Sequence, residues 1–371
     1  MKDKELLKKI SDYAFIAGVI CEIVVMPSGF SLIYFGFKYI ILLGMACFAF
    51  SLFLSMDIKK DWKLFIPVFG FSLVCAFLQK SALILRLALL ILSGRTQKRD
   101  KVIAYFFYGT AAWMLVIFVL ALFGIEGSIY SVGAFRHSAD EKRFTFGFLH
   151  PNGFAFFWIK FVIMGLYLYG KKMKLWVRGL VFIAGLIPLV MAMTKAGMAF
   201  YVLFSLISLY AALDKNDDRA CRVLYYGGGA AMIFEILFIL TLGLFPYPQE
   251  HVGDVRNLWD LMNEVTTGRL QKARDVLTSG MPTLMGQRGV DAVNEIGFVD
   301  SLYREGIIFI VIYCVILFIL LHRLFKEKNK HAIILLLCFT FYAIAESYLP
   351  YANKNAIWLL IIGMTVLKGK L

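Results

Sequence analysis

Short polar segments separate the long apolar runs of this chain. The segment at 143–152 contains residue types that suit the recognition of a phosphate. Arg143, His150 and Asn152 lie around an apolar stretch that begins at Pro151, and Lys195 separates two further apolar runs. A guanidinium fork matches phosphate oxygens, and an ammonium supplies a point charge. We predict that all four polar residues contact substrate. The alternative is that they anchor the ends of apolar helices, with Lys195 extending to the polar interface.

A second basic segment, TTGRLQKAR at 266–274, has a helical pattern. Arg269 and Lys272 are three residues apart, so on a helix they share a face. Such a face suits a lipid headgroup, a lipid pyrophosphate or an acidic glycan, and we predict both residues to bind substrate. The alternative is an ordinary solvated helix face.

Carboxylates follow in the next two polar segments. Glu295 and Asp300 precede Arg304 at the start of an apolar run, and Glu346 lies near the end of another, shortly before Asn353. Glu295 and Asp300 are candidates for a general base, which takes the proton from an attacking hydroxyl. The alternative is the preference of acidic residues for helix N-termini. Carboxylates inside apolar runs are costly and tend to be functional, so we assign Glu346 to substrate binding together with Arg304 and Asn353.

The composition decides which elements must position these residues. The chain has 371 residues, of which 60% are hydrophobic and 17% charged, and its mean hydropathy is +0.76. A soluble fold could not bury this much apolar surface, which excludes a soluble enzyme and a disordered chain. About twelve apolar runs are close to the length of a membrane-spanning helix, roughly 20 residues. The sequence therefore predicts an all-α polytopic membrane protein, a single integral membrane domain over 1–371.

The basic residues predict the orientation. The formal net charge is +14, and more than half of the 39 Lys and Arg residues fall in alternate short loops. This pattern indicates membrane topology rather than nucleic-acid binding, and it places both termini in the cytoplasm. Two long loops, 125–150 and 246–303, then face outward, and the second has the helical texture of a subdomain. Loops of this length are usually functional.

Motifs of soluble catalysis are missing from the sequence. It has no Walker motif, no HExxH, no GxSxG and no Cys/His set with metal-ligand spacing. The six cysteines lie outside the predicted outer loops, so no disulfide framework is expected. We expect no metal and no cofactor.

The polar segments and the order in which they occur resemble those of the O-antigen ligase/polymerase superfamily, especially of its Wzy-like polysaccharide polymerases. The resemblance covers roughly 143–355. Its matching segments are RFTFGFLHPN at 143–152, TKAG at 194–197, TTGRL at 266–270, LMGQRG at 284–289, NEIGFVDSLYREGI at 294–307 and the segment from Glu346 to Asn355. The large outer loop before the tenth apolar run also fits.

The resemblance implies a GT-C-like glycosyltransferase of the cytoplasmic (inner) membrane, inverting and metal-independent. Its donor would be a growing glycan on undecaprenyl pyrophosphate, and its acceptor a sugar hydroxyl of a lipid-linked repeat unit at the outer leaflet. Membrane lipid is a further expected partner, as are the flippase and the chain-length regulator of the same pathway.

The resemblance also assigns roles. It implies that Arg143 and Arg269 hold the pyrophosphate, with Lys195 as a third cation, although many relatives have arginine at that position. Lysine keeps the charge but loses the bidentate geometry. Ligase relatives have a histidine where the tenth run begins. This chain has none there, and Glu295 is the acidic residue that best matches, with Asp300 second.

Three other functions compete with the polymerase, one of them a non-catalytic scaffold in a polysaccharide assembly complex. A ligase of the same superfamily would transfer the glycan to another acceptor, and the missing histidine argues against it. A transporter or lipid-linked oligosaccharide flippase would use charges inside the spans, such as Glu22, Arg86, Lys160 and Glu235, as a polar path. The large outer loop and the absence of a visible internal repeat argue against transport.

Overall fold

A computed structural model describes residues 2–25, 31–132, 142–214, 218–242, 260, 263, 266, 268–287, 295–344 and 346–362. Several predicted features lie outside these residues: 133–141 of the first outer loop, 246–259 of the second, Thr267, 288–289, Asn294 and the end of the last apolar run.

The described residues are mainly helical. The helices are α1 (Lys2–Val24), α2 (Ser31–Ser55), α3 (Ile58–Gln79), α4 (Leu83–Gly94), α5 (Arg99–Leu122), α6 (Pro151–Tyr169), α7 (Leu175–Met191), α8 (Lys195–Leu213), α9 (Asp218–Thr241), α10 (Arg269–Ser279), α11 (Gly297–Arg304), α12 (Ile307–Lys326), α13 (Lys330–Tyr342) and α14 (Ile357–Ile361). Two short strands, β1 (Tyr130–Val132) and β2 (Lys142–Phe144), pair antiparallel with Ser131 opposite Arg143.

Seven helices within the described residues are long and apolar enough to cross a membrane. They are Gly36–Ser55, Asp61–Gln79, Arg99–Leu122, Pro151–Lys172, Lys195–Leu213, Asp218–Thr241 and Ile307–Lys326. Three shorter apolar helices are Leu83–Gly94, Leu175–Met191 and Lys330–Tyr342. The prediction of an all-α polytopic membrane protein is confirmed, while its count of about twelve spans stays a prediction.

The sequence explains two of the helix boundaries. Pro151 occupies the first turn of α6, where its missing N–H is not needed. The His150 ring precedes it as the N-cap, and its Nδ1 accepts the Asn152 N–H at 3.1 Å. Met193 has a left-handed φ of 50°, so the chain turns there between α7 and α8. The predicted break between these two helices is confirmed.

The chain forms two compact units. Unit 1 comprises Met1–Phe71, Leu85–Leu213 and Ala352–Leu371, and unit 2 comprises Ser72–Ile84 and Asp214–Tyr351. In unit 1, α1 and α2 pack closely because small residues lie at the contact: a side chain at Gly18 would reach within 2.6 Å of the Phe48 ring. Ser11 and Ser51 exchange hydrogen bonds to each other's carbonyls at 2.9 Å.

Unit 1 also buries a charged pair among its helices. The Arg86 guanidinium of α4 donates through Nε and Nη2 to the two carboxylate oxygens of Glu22 on α1. Lys160 of α6, fully buried, donates to the carbonyl of Asn353 and lies 5.2 Å from the Phe106 ring centroid. These charges belong to one packed network.

In unit 2, α9 packs against α13 at Gly228, where an added Cβ would lie 2.5 Å from Leu337. The short helix α11 is buried along most of its length and leads directly into α12. This helix and the 343–349 segment provide the scaffold for the polar residues described next.

Candidate functional site

The start of α10 places Arg269 at a fixed position in unit 2. Asn263 holds this helix end: its Oδ1 accepts the Gln271 N–H at 3.0 Å, and its carbonyl accepts the Gly268 N–H at 2.7 Å. Gly268 has a φ of 80°, a conformation that glycine adopts without strain. Leu270 and Ala273 are buried, so α10 has one face against the protein. The predicted helical texture of this loop is confirmed here.

A tyrosine joins α10 to α11. The Tyr303 hydroxyl lies 2.9 Å from the Val276 carbonyl and 2.6 Å from the Gly280 carbonyl, at the last turn of α10. Burial raises the pKa of this phenol, so it remains a hydrogen-bond donor. The two helices therefore keep a fixed separation, and their N-terminal ends carry Arg269 and, just before α11, Glu295.

The third element is the segment after α13. Gly297 begins α11, and its N–H donates to the Ala343 carbonyl at 2.7 Å. A Cβ at Gly297 would lie 2.8 Å from the Glu346 carbonyl, so glycine permits this close approach. The contact brings the segment that carries Glu346 against the segment that carries Glu295.

These three elements bring one guanidinium between two carboxylates. Arg269 Nε donates to Glu295 Oε2, and Arg269 Nη2 lies 3.9 Å from Glu346 Oε1. The Arg269 side chain is only 5% exposed, while Glu295 is 52% and Glu346 27% exposed. The cluster has formal charge −1. We call Arg269, Glu295 and Glu346 the arginine–carboxylate cluster.

The cluster combines the groups that a hydroxyl-activating site needs. A carboxylate held by a guanidinium has a fixed orientation, and an exposed carboxylate can reach a hydroxyl brought by a substrate. Arg269 lies at the N-terminus of α10, where a cation is unfavourable next to the helix dipole. Its two carboxylates offset that cost.

The other predicted residues of unit 2 lie in different surroundings. Lys272 is exposed on α10, one turn from the buried Arg269. Asp300 is buried, and one of its carboxylate oxygens lies 3.6 Å from Arg304 of the same helix. Arg304 also lies 3.5 Å from the Tyr351 hydroxyl. Of the two candidate bases, Glu295 is therefore the accessible one and Asp300 the buried one.

The buried carboxyl of Glu305, the residue that follows α11, was not predicted from the sequence. Glu305 is 3% exposed, and burial raises the pKa of its carboxyl to about 7, with Asp300 adding to the effect and Arg304 opposing it. The Gln79 amide donates to the Glu305 carbonyl at 3.3 Å and to the Met285 carbonyl at 2.8 Å. The sequence distance between Gln79 and Glu305 leaves no spacing signal that could have revealed this contact.

The described part of the LMGQRG segment, 284–287, and the preceding Thr283 contact the start of α12. The N–H groups of Ile307 and Ile308, which begin α12, donate to the Thr283 and Leu284 carbonyls, both at 3.1 Å. Gly306 has a φ of 95°, and a Cβ there would lie 2.3 Å from the Gly286 nitrogen. The backbone of this segment therefore packs directly on the start of α12.

Unit 1 contains the remaining predicted residues. Arg143 lies on β2 and is buried, His150 is the exposed N-cap of α6, and Asn152 is partly buried in the first turn of that helix. Lys195 is exposed at the start of α8. Asn353 is buried, and its amide donates to the Glu22 carbonyl at 3.1 Å. The structure places Asn353 in the buried charge network of unit 1.

Comparison with known proteins gives no match: no family model, no curated protein and no solved structure is similar to this chain.

Proposed function

We propose that this chain is a membrane glycosyltransferase, a polysaccharide polymerase of the Wzy-like kind. It would transfer a growing glycan from undecaprenyl pyrophosphate to a sugar hydroxyl of a lipid-linked repeat unit at the outer leaflet. The observation that carries the proposal is the arginine–carboxylate cluster, in which a buried cation holds an accessible carboxylate. The proposed architecture is a GT-C-like bundle of about twelve spans, with both termini cytoplasmic and the 246–303 loop outside.

The proposed reaction is a single inverting displacement. The acceptor hydroxyl attacks the anomeric carbon on the face opposite the pyrophosphate, and Glu295 takes the hydroxyl proton. The new glycosidic C–O bond forms as the bond from the anomeric carbon to the phosphate oxygen breaks. Undecaprenyl pyrophosphate leaves with the bonding electron pair. Cations offset the charge that develops on this leaving group. We assign this role to Arg269, whose Nη2 becomes available when the pyrophosphate displaces Glu346, the more distant of its two carboxylates at 3.9 Å, while Nε still holds Glu295.

Accessibility supports Glu295 as the base. A group that must take a proton from a substrate hydroxyl has to be within hydrogen-bond reach of it. Glu295 is about half exposed, whereas Asp300 is buried and paired with Arg304 on its own helix. Asp300 therefore suits a positioning role better than proton transfer.

Buried pairing in unit 1 weakens the transport alternative. Glu22 and Arg86, which would help to line a polar path, form a bidentate ion pair with each other. The Lys160 ammonium donates to a backbone carbonyl. Charges fixed in this way stabilise packing between helices and are not displayed toward a passing substrate.

The test uses the purified full chain in lipid with a synthetic undecaprenyl-pyrophosphate-linked repeat unit and EDTA. The proposal predicts a ladder of polymers on a gel, and by nuclear magnetic resonance a new linkage of anomeric configuration opposite to that of the donor. Movement of intact lipid-linked sugar between leaflets, without a ladder, would instead establish a flippase. Retained configuration in the product would contradict the single displacement.

A further inference from the structure

Glu235 is a buried acid in α9, one of the helices long and apolar enough to cross a membrane. It is 4% exposed and shares a helix face with the buried residues Met232 and Ile239. Neither of its carboxylate oxygens has a hydrogen-bond partner among the residues that the structure describes. Most buried polar atoms in proteins have such a partner, so the state of this carboxyl must differ from that of an ordinary buried carboxylate.

The contrast with Glu22 shows what an ionised carboxylate requires in this chain. Glu22 is 3% exposed, and both of its carboxylate oxygens accept from the Arg86 guanidinium. Glu235 has the same degree of burial without a guanidinium or an ammonium beside it in the described part of the chain. A charge buried without a partner is so costly that the group becomes neutral instead.

The groups that face Glu235 are neutral as well. α9 packs against α11, α12 and α13. Cys314 of α12 and Tyr348, in the segment after α13, interact electrostatically with Glu235. A thiol and a phenol are both uncharged at neutral pH. The Tyr348 hydroxyl donates to the Phe339 carbonyl, so its proton is already used in another hydrogen bond.

The charged residues of the neighbouring helices lie elsewhere. Asp300 and Arg304 of α11 form an ion pair with each other at 3.6 Å. Lys328, between α12 and α13, lies 2.8 Å from Asp218 at the start of α9. The 17 residues from Asp218 to Glu235 span about 26 Å of helix, so the basic ends of α12 and α13 are far from this carboxyl.

The surroundings of Glu235 do not suit a metal cation. Hard cations take about six or more oxygen ligands, whereas the described groups that face Glu235 are a thiol and a phenol. The described residues also contain no group of three acids, histidines or cysteines that could hold a metal ion. A proton needs no further ligand, because it forms a covalent O–H bond on the carboxyl itself.

We infer that Glu235 is a proton-binding site within the membrane part of unit 2, and that its carboxyl is protonated at neutral pH. The ionised form requires solvent, which reaches a side chain this deeply buried only when α9 separates from its neighbours. Proton binding at Glu235 is therefore linked to the packing of α9 against α12 and α13. This site is independent of the glycosyl transfer proposed above.

Infrared spectroscopy of the full chain in phosphatidylcholine vesicles, at about pH 8, tests the protonation directly. A protonated carboxyl has a C=O stretching band that is separate from the carboxylate bands and shifts in D2O. We expect Glu235→Gln to lose the intensity of one protonated carboxyl. The matched control Glu295→Gln, which replaces an exposed carboxylate held by Arg269, should lose none. Unchanged protonated-carboxyl intensity in Glu235→Gln would overturn the inference.

Equilibrium unfolding in mixed detergent micelles, from about pH 5 to 8, tests the linkage to packing. Because the folded chain holds the Glu235 proton more tightly than the unfolded chain, each pH unit in this range should favour unfolding of wild type about tenfold relative to Glu235→Gln. The titration of Glu305 is common to both proteins and cancels. A ratio of unfolding constants that does not change with pH would contradict the inference.

A second variant, Glu235→Leu, covers a loss of folding in the glutamine variant. Leucine adds no polar atom to the apolar surroundings, so Glu235→Leu should unfold at a temperature no lower than that of wild type at neutral pH. It should lack the same infrared band. A much lower unfolding temperature would show that Glu235 is ionised and has a stabilising partner, which would overturn the inference.

The proton site and the proposed function fail separately in these assays. A chain that forms polymer but keeps its protonated-carboxyl intensity in Glu235→Gln retains the proposed function and loses the proton site. A chain that loses this intensity in the variant but forms no polymer as wild type keeps the proton site and loses the polymerase.

Discussion

Two arginine–glutamate contacts in this molecule have similar chemistry and opposite accessibility. In unit 1, Arg86 is 9% and Glu22 3% exposed, and both partners are enclosed by helices. In unit 2, Arg269 is 5% exposed but its partner Glu295 is 52% exposed. A pair that is closed on both sides can only stabilise or specify packing. A pair with one exposed member can exchange its partner for a substrate.

The difference shows why burial of a charge alone does not identify a site. The sequence predicts Glu22 and Arg86 as charges within apolar spans and Arg269 as part of a basic face in the large outer loop, but it does not show which of these charges are paired. The structure separates them by what surrounds each carboxylate.

The buried Glu22–Arg86 pair should contribute more to the free energy of unfolding than the Arg269–Glu295 pair. Arg86→Leu leaves the Glu22 carboxylate buried without its partner, and breaking a buried pair in this way costs about 3–5 kcal/mol. Thermal unfolding in detergent should show a large fall in the midpoint for this variant. The double variant Glu22→Leu with Arg86→Leu should recover most of the loss, because no isolated carboxylate remains. Equal thermal unfolding midpoints for wild type and Arg86→Leu would show that Glu22 is not left buried without a partner in this variant.

The open cluster should show the reverse behaviour. Glu295→Gln keeps the shape of the side chain but removes the base, and loss of a general base lowers a rate by at least about 100-fold. Its unfolding midpoint should fall less than that of Arg86→Leu, because Glu295 is 52% exposed and the Arg269 guanidinium keeps Glu346 at 3.9 Å. The measurement is polymer formation per folded molecule. Wild-type rates in this variant would remove Glu295 from the mechanism.

Buried Glu305 should make unit 2 sensitive to pH. Because the folded-state pKa of about 7 exceeds the ordinary value of 4.5, the folded chain holds the proton more tightly than the unfolded chain. The contribution of Glu305 to the free energy of unfolding is therefore greatest below about pH 4.5. It falls as the pH rises toward and through 7. Between about pH 5.5 and 7 the loss is roughly 1.6 kcal/mol, because the slope of about 1.4 kcal/mol per pH unit decreases as the pH approaches the folded-state pKa.

The comparison variant for this effect is Glu305→Gln, which keeps the size of the side chain and removes its titration. Unfolding midpoints of both proteins should be measured across the same pH range. The difference between them should change with pH in the direction given above. A constant difference would show that Glu305 does not titrate in this window.

The smallest expected change in the free energy of unfolding is that of substitutions at His150 in unit 1. The ring caps α6 by accepting the Asn152 N–H, and loss of an N-cap costs roughly 1 kcal/mol. His150→Ala should lower stability by that amount, and His150→Asn should restore it because asparagine also caps helices. If His150 contacts substrate as predicted, activity should stay low in both variants. Recovery of activity with the cap would limit His150 to the structural role.

Much of the architecture was predictable because apolar runs and helix-boundary residues act locally. Pro151 marks the start of α6, and the TKAG segment marks the break between α7 and α8. The helix in the large loop was also predictable from its pattern, and it is observed as α10. Each of these features depends on neighbouring residues alone.

The partners within the site depended on packing and could not be predicted. Arg269 and Glu295 were both predicted, but their contact follows from the way Tyr303 joins α10 to α11. The burial of Glu305 was not predicted, and its backbone carbonyl accepts from Gln79 of α3, 226 residues away in the sequence. Asn353 was predicted to bind substrate, and the structure places its side chain on the Glu22 carbonyl. Local patterns do not encode such long-range contacts.

We propose that the open arginine–carboxylate cluster performs the chemistry. The most direct test is the polymer ladder per folded molecule of Arg269→Ala, compared with Asp275→Asn, a change on an exposed residue of the same helix. We predict that Arg269→Ala loses the ladder by at least about 100-fold while Asp275→Asn retains it. A ladder of wild-type length and rate from Arg269→Ala would show that the cluster does not perform the chemistry.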